Sequence, residues 1–254
     1  MVIGNDDTVK RPAATMTHDV TDRYLFVKHS ENWNVDRCTR WMESHGVPVD
    51  WCYPASGQPF PEPAGYAGVV VFGGAGSAND CGDFAWVRDE LRFIERTLVD
   101  AVPFFGICLG AQMLARVLGA RVAPHPEGLV EIGFHEVLPT PASAGFVDAP
   151  LNVMQWHSEG FELPAGTTRI ATAEGFENQG FRVNETTLGV QFHPEVNPEA
   201  LAIWHARNRE RRPGQLDDAD RAAMMADAIR HAPAVDAWLD SFLGGWARRA
   251  ARAA

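Results

Sequence analysis

Apolar residues follow different patterns in the two halves of the chain. In the first half, short continuous apolar runs alternate with stretches in which apolar residues recur every three or four positions. A continuous run predicts a strand buried on both faces, and the wider spacing predicts an amphipathic helix. The predicted strands are 24–27, 47–52, 68–72 and the run ending at Ile107; the predicted helices are 35–45, 84–98 and 109–118, with Asn34 capping the first and Gly119 ending the last.

The alternation of strands and helices predicts a doubly wound, mainly parallel α/β sheet. The second half instead contains short strand-like runs separated by turn residues, which predict an antiparallel extension of that sheet. These runs are 130–138, 151–156, 169–173, 180–183 and 188–192, with a hairpin turn at 184–187. Helices are predicted after Asn197, at 198–204 and 216–230. An apolar helical stripe from Val235 to Trp246, with Pro233 near its start, is expected to pack back onto the sheet.

Length and composition predict one globular domain over 23–254, with a C-terminal helical extension at about 198–254 and a flexible polar leader at 1–22. Apolar residues make up 46% of the chain, and no apolar run is long enough to span a membrane. The net charge of −11 disfavours a nucleic-acid partner. The four cysteines lack zinc-site or disulfide spacing, which favours a reducing, cytoplasmic environment.

The glycines at 73–76 do not form a nucleotide-binding motif. In a GxGxxG loop beginning at Gly74, the third glycine would fall at Asn79, and the phosphate-binding sequence GK[ST] is absent. No cofactor and no metal are therefore predicted. Gly73 and Gly74 instead follow the carboxyl end of a predicted central strand, where ligands bind in parallel sheets and where backbone N–H groups can face an anion.

Cys108 lies between a predicted strand and a predicted helix, in the sequence Gly106-Ile107-Cys108-Leu109-Gly110. Small residues on both sides let the backbone make the sharp turn of a nucleophile elbow, which exposes the side chain above the sheet edge. A thiol at a helix N-terminus is also favoured as the thiolate. The alternative is a buried structural cysteine, which the flanking glycines disfavour.

A second candidate group is Gln191-Phe192-His193-Pro194-Glu195, at the end of the last predicted strand. On an extended chain, residues two apart point the same way, so His193 and Glu195 are expected to share a face. A carboxylate that orients an imidazole is the pair that activates a nucleophile. A lone His-x-Glu is usually a chance occurrence on the surface, and it gains meaning only together with Cys108.

The two segments resemble the two signatures of the class I glutamine amidotransferase family. The first is Gly106-Ile107-Cys108-Leu109-Gly110-Ala111-Gln112, and the second is Gly189-Val190-Gln191-Phe192-His193-Pro194-Glu195. Glu131-Ile132-Gly133 and Trp156-His157-Ser158-Glu159 further resemble the stand-alone, GMP-synthase-like branch. The resemblance runs from about Tyr24 to about Asn197 and implies a flavodoxin-like fold and hydrolysis of glutamine.

The resemblance also implies roles for individual residues. Cys108 would form a γ-glutamyl thioester, His193 would take the thiol proton and pass a proton to departing ammonia, and Glu195 would hold the imidazole. The backbone N–H groups of Gly74 and Leu109 would form the oxyanion hole. The substrate would be bordered by Gly73, Gln112, His157, Ser158 and Glu159.

Three of these positions, and Glu131 as a fourth, leave more than one interpretation open. Ser158 and Glu159 replace the Gly and Asp of that branch, a difference that bears on substrate choice. His157 is kept as a pocket residue, although a structural histidine with both nitrogens bonded is the commoner case. For Glu131 the resemblance gives no role, and exposure at a strand edge is the alternative.

Three functions follow from the resemblance. In the first, ammonia from glutamine passes to an acceptor on a separate synthetase chain. In the second, the chain is a free-standing γ-glutamyl hydrolase or peptidase that acts on γ-glutamyl amines or peptides. The third, a non-enzymatic regulatory protein, is disfavoured because the cysteine, the histidine and the acid are all present.

Overall fold

A computed structural model describes residues 22–31 and 34–253. Within this part of the chain, eleven strands and five helices follow one another. The strands are β1 Tyr24–Val27, β2 Val49–Cys52, β3 Gly68–Val71, β4 Phe104–Ile107, β5 Val122–Pro124, β6 Glu131–Pro139, β7 Leu151–His157, β8 Glu159–Phe161, β9 Thr168–Thr172, β10 Gly180–Arg182 and β11 Thr187–Val190. The helices are α1 Arg37–Ser44, α2 Ala85–Val99, α3 Leu109–Val117, α4 Pro198–Arg211 and α5 Asp218–Ala253.

Nine of these strands form one sheet in the order β2-β1-β3-β4-β11-β10-β9-β6-β7. The strands from β2 to β11 in that order pair in parallel, and those from β11 to β7 pair antiparallel. The predicted doubly wound α/β sheet with an antiparallel extension is therefore confirmed. One strand differs from the expectation: β11 pairs in parallel with β4, so that Val190 lies opposite Ile107.

Helices cover both faces of the parallel part. On one face, α1 and α5 contribute buried side chains such as Met42 and Leu243 to a common apolar cluster. On the other face, α2 and α3 pack residues such as Ile94 and Met113 against the sheet. Because strands 24–27, 68–71 and 104–107 are buried on both faces, they read as continuous apolar runs in the sequence.

The first helix begins later than predicted. Asp36, and not Asn34, is its N-cap, because the Asp36 carboxylate accepts a hydrogen bond from the Thr39 N–H at 3.0 Å. Gly46 follows its end at a φ of +65°, a left-handed conformation suited to glycine.

The C-terminal region contains fewer and longer helices than predicted. One helix, α5, includes both predicted segments, and Pro233 lies inside it and not near its start. A proline removes one backbone hydrogen bond from a helix. Here the apolar stripe continues past it and packs on the sheet, as predicted, through Leu239, Leu243 and Trp246. The antiparallel pair β5–β8 was not predicted, because strands of three residues leave almost no periodic signal.

The predicted leader at 1–22 lies, apart from Asp22, outside the described residues. The domain bounds 23–254 and the extension at about 198–254 stay predictions. None of the helices in the described ranges is long and apolar enough to cross a bilayer.

The packing of α5 predicts that Trp246→Ala lowers the free energy of unfolding by about 3–5 kcal/mol, the usual cost of truncating a large buried aromatic residue. Trp246 is fully buried, contacts Tyr24 and Phe105, and donates to the Thr186 carbonyl at 2.8 Å. Urea unfolding would measure the loss. Ile229→Ala on the same helix is the control, because that side chain is 62% exposed. Equal effects of the two substitutions would contradict a structural role for α5.

Candidate active site

Cys108 lies on a strained bend between β4 and α3. Its φ is +50° and its ψ is −104°, values that a residue with a side chain rarely adopts. Such a conformation costs about 1–3 kcal/mol and persists only where neighbouring contacts hold it. Here the Cys108 N–H donates to the Val190 carbonyl at 2.7 Å, and the Gln112 N–H donates to the Cys108 carbonyl at 2.9 Å. The bend is thus fixed by β11 on one side and α3 on the other.

The close approach of α3 to the sheet explains why residue 110, just after the bend, is a glycine. A Cβ on Gly110 would lie 2.2 Å from the Val71 carbonyl oxygen, closer than any real contact. The start of α3 can therefore rest directly on the end of β3 only because position 110 has no side chain. Cys108 follows β4 at the carboxyl edge of the sheet, but the residue is only 6% exposed, so the predicted exposure of the thiol is wrong.

His193 and Glu195 meet, but not by the geometry that the sequence predicted. The strand ends at Val190; Gln191 and Phe192 lie in a bend, His193 forms an isolated β-bridge with Met154, and Pro194 and Glu195 lie in a turn. The His193 N–H donates to the Met154 carbonyl of β7 at 2.8 Å, which holds the turn in place. Within it, His193 Nδ1 lies 2.8 Å from Glu195 Oε1. The prediction that strand alternation brings His193 and Glu195 together was wrong, because a turn joins the two side chains.

The turn places the His193 ring beside Cys108, and Gly73 lies against both. A Cβ on Gly73 would lie 2.6 Å from His193 Cε1 and 3.4 Å from the Cys108 Cβ. Gln191 completes the cluster, with its side-chain amide nitrogen 3.6 Å from Cys108 Sγ. Gln191 belongs to the second signature, but the sequence analysis assigns it no role. Its place next to the strand end does not indicate a contact with the thiol.

Burial and charge oppose each other at His193. Its side chain is 4% exposed, and burial alone would lower its pKa. The Glu195 carboxylate and the Cys108 sulfur reverse this effect and raise the pKa of His193 to about 10. At neutral pH the ring is therefore protonated, with Nδ1 directed to Glu195 and Nε2 free to face the sulfur.

Two other predicted substrate residues, Gln112 and His157, are buried next to this cluster and form a polar wall with the backbone of residue 159. The Gln112 side-chain amide donates to the Glu159 carbonyl at 2.9 Å and to Gln191 Oε1 at 3.2 Å. His157 Nδ1 lies 3.0 Å from the same Glu159 carbonyl. Gln112 and His157 thus hold the backbone of residue 159, whereas the Ser158 side chain is exposed to solvent.

Glu131 is buried at this wall, so the alternative of exposure at a strand edge is wrong. Its side chain is 5% exposed, and Oε2 lies 3.0 Å from His157 Nε2. The Gln179 amide donates to the same oxygen at 3.2 Å. Both ring nitrogens of His157 therefore face partners, which is the arrangement of a structural histidine.

The remaining predicted positions belong to the backbone. Leu109 is the first residue of α3, so its N–H has no acceptor within the helix. Gly74 follows Gly73 on the exposed loop after β3. In the described ranges, no group of three or more His, Cys, Asp or Glu side chains is arranged to hold a metal ion.

A cysteine on a strained strand–helix bend, with a histidine–carboxylate pair beside it, is the arrangement of enzymes with a thiol nucleophile. Residues 29–205 match the family model "Glutamine amidotransferase class-I". The chain is 30% identical over 189 residues to the glutamine amidotransferase-like protein YfeJ of Salmonella typhimurium, covering 70% of this chain and 78% of that protein. It belongs to the class I glutamine amidotransferase family, and the family resemblance of its two signatures is confirmed.

Other relatives show how much of each chain is similar. The GMP synthase of Vibrio atlanticus is 34% identical over 133 residues, which are 51% of this chain but only 24% of that enzyme. The crystal structure of a glutamine amidotransferase from Thermotoga maritima superposes with a TM-score of 0.81 at 31% identity, covering 89% of this chain and 97% of that one. A Methylobacillus flagellatus relative, with a TM-score of 0.80 at 22% identity, supports the fold alone.

The ion pair at His193 predicts a specific dependence of stability on pH. Because the folded-state pKa is raised from 6.5 to about 10, the charged ring contributes stability that is fully present below pH 6.5 and is lost as the pH rises through about 10. Glu195→Gln removes the charge that raises this pKa, so the variant should lose less stability than the wild type between about pH 7 and 10.

Urea unfolding across this range, with NMR titration of the histidine rings, would measure both effects. A wild type and a variant with the same pH dependence would contradict the ion pair, as would a His193 resonance that titrates at the same pH in both proteins.

Proposed function

We propose that this chain hydrolyses the side-chain amide of glutamine through a γ-glutamyl thioester on Cys108. The observation that carries the proposal is the juxtaposition of the strained Cys108 with the His193–Glu195 pair. Membership of the class I family supplies the substrate class, because its members are glutamine amidotransferases.

In the first half of the reaction, Cys108 Sγ attacks the amide carbon as the thiolate, a carbon–sulfur bond forms, and the carbon–nitrogen bond breaks. Since His193 already carries a proton at neutral pH, it can donate that proton to the departing ammonia. In the second half, water attacks the thioester carbon and gives a proton to the neutral ring; the carbon–sulfur bond breaks, which releases glutamate and restores the thiolate and the protonated ring. Glu195 keeps Nδ1 occupied throughout, so that proton transfer occurs at Nε2.

The negative oxygen that forms during each attack needs hydrogen-bond donors. We assign this role to the backbone N–H groups of Leu109, at the start of α3, and of Gly74, on the loop after β3 whose Gly73 lies against Cys108. The loss of one such donor costs about 10²–10³ in kcat in hydrolases that form an oxyanion.

The amino-acid end of the substrate is assigned to the polar wall. Gln112 connects the Glu159 backbone to Gln191, whose amide lies beside Cys108 Sγ, and Ser158 next to Glu159 is exposed. Gly73 leaves room for the His193 ring. His157 is assigned the supporting role that its contacts describe, because both of its nitrogens face protein groups.

The acceptor of the ammonia is assigned to a separate synthetase chain. This chain matches only 24% of the length of a relative named "GMP synthase [glutamine-hydrolyzing]", whose name joins glutamine hydrolysis to a synthetic reaction.

The glutamine analogue 6-diazo-5-oxo-norleucine should alkylate Cys108 and no other cysteine. All three buried cysteines have low exposure, but burial raises the pKa of the Cys38 and Cys52 thiols, that of Cys52 to about 12, and neither lies beside His193. Mass spectrometry of the digested protein would locate the adduct. Cys81, which is only half-buried, makes Cys81→Ala the matched control, and it should label like the wild type. An adduct on another cysteine would refute the assignment.

Purified protein should release ammonia and glutamate in equal amounts from glutamine, and Cys108→Ala should abolish both while remaining folded. The substrate panel should include γ-glutamyl amines and peptides, with ammonia and glutamate measured separately. Turnover of glutamine that increases with a co-purified synthetase supports the proposed transfer. Turnover of γ-glutamyl compounds with none on glutamine would replace it with γ-glutamyl hydrolysis.

A further inference from the structure

A third buried histidine–carboxylate pair lies behind the loop after β3. His29 follows the carboxyl end of β1, which pairs in parallel with β3. Its Nδ1 lies 3.1 Å from the Gly73 carbonyl oxygen, and its Nε2 lies 2.9 Å from Glu90 Oε2. The His29 and Glu90 side chains are 3% and 0% exposed. Neither residue takes part in the proposed thioester chemistry, and His29 connects Glu90 to this loop.

Glu90 occupies a position where the helix pattern predicts an apolar residue. It lies on the buried face of α2, in line with Val87 and Ile94. A buried carboxylate without a partner costs several kcal/mol, so a contact must offset its burial. That contact is His29, which links the helix to the loop.

Both nitrogens of His29 face hydrogen-bond acceptors. A carbonyl oxygen only accepts, and an ionised carboxylate only accepts, so the ring satisfies both as the doubly protonated imidazolium. Burial alone would lower the pKa of His29, but the Glu90 carboxylate and the Gly73 carbonyl raise it overall. The ring therefore donates to both partners at once.

The direction of the Gly73–Gly74 peptide follows from these contacts. A Cβ on Gly73 would approach Cys108 and His193, whereas a Cβ on Gly74 would lie 2.7 Å from the His29 ring. The loop thus has the thiol on one side and His29 on the other. In a trans peptide the C=O and the N–H point in opposite directions. Because the Gly73 carbonyl points to His29, the Gly74 N–H points to the side of Cys108.

We propose that His29 and Glu90 are positioning residues that hold the Gly73–Gly74 peptide so that the Gly74 N–H faces the oxyanion formed at Cys108. This inference rests on the proposed function, which supplies the oxyanion. The pair acts through the peptide and touches neither the substrate nor the thiol. Its loss should therefore weaken the transition state and leave the reactivity of the free thiol unchanged.

The test compares His29→Leu, His29→Asn and Glu90→Gln with the wild type. His29→Leu removes the donor to Gly73 and should lower kcat for glutamine by about 10- to 100-fold, with KM changed by less than about threefold. His29→Asn should recover part of kcat, because its amide nitrogen can replace Nδ1. Glu90→Gln, which is nearly isosteric, should lower kcat less than His29→Leu.

Alkylation of Cys108 by iodoacetamide separates positioning from nucleophile activation, because this reaction forms no oxyanion. Its rate should be the same in all variants. Thr97→Val is the matched control: Thr97 is a fully buried polar residue of α2 whose hydroxyl donates to the Phe93 carbonyl. It should leave kcat and the alkylation rate unchanged.

If the wild type is active and His29→Leu has the same kcat, the inference is overturned. It is also overturned if kcat and the rate of Cys108 alkylation fall together in the His29 variants. A wild type inactive on glutamine would refute the proposed function instead. The inference would then be decided by hydrogen–deuterium exchange of the peptide that spans Gly73 and Gly74. Faster exchange in Glu90→Gln than in Thr97→Val supports a held peptide, and equal exchange overturns it.

Discussion

The strained backbone at Cys108 is the constraint on which the site depends. A residue with a side chain at a φ of +50° is unfavourable by about 1–3 kcal/mol, and the local sequence alone would relax it. Three contacts hold it: the hydrogen bond to Val190 of β11, the first hydrogen bond of α3 and the packing of Gly110 on β3. The thiol therefore keeps its place only while the centre of the sheet is intact.

The parallel pairing of β4 with β11 brings together the two halves of the candidate site. Ile107 and Val190 are partners across these strands, so that the bend after one and the turn after the other emerge at the same edge. Cys108 and His193 are far apart in sequence, and their contact follows directly from this register. If β11 paired elsewhere in the antiparallel extension, the His193 imidazole would lie away from the Cys108 thiol.

Buried polar pairs behind the site give it rigidity. Glu131 and His157 support the backbone of residue 159, and Glu90 and His29 support the loop after β3. Each pair places a charged residue where packing alone would favour an apolar one. Low exposure strengthens these contacts, since water does not compete for the donors. Both pairs act on main-chain groups, which is consistent with a site in which backbone atoms contact the substrate.

The sequence by itself determined the alternation of strands and helices, the bend at Cys108 and the two family signatures, because each is encoded by residues close together in the chain. Only the tertiary structure decided the contacts between distant segments. Strand order placed β11 beside β4, packing on the sheet kept α5 continuous through Pro233, and a turn, not strand alternation, joined His193 to Glu195. Likewise, the partners of Glu131 and His29 lie on other elements. Periodicity reports which face of an element is buried, but the partner of a buried polar group depends on how the elements pack.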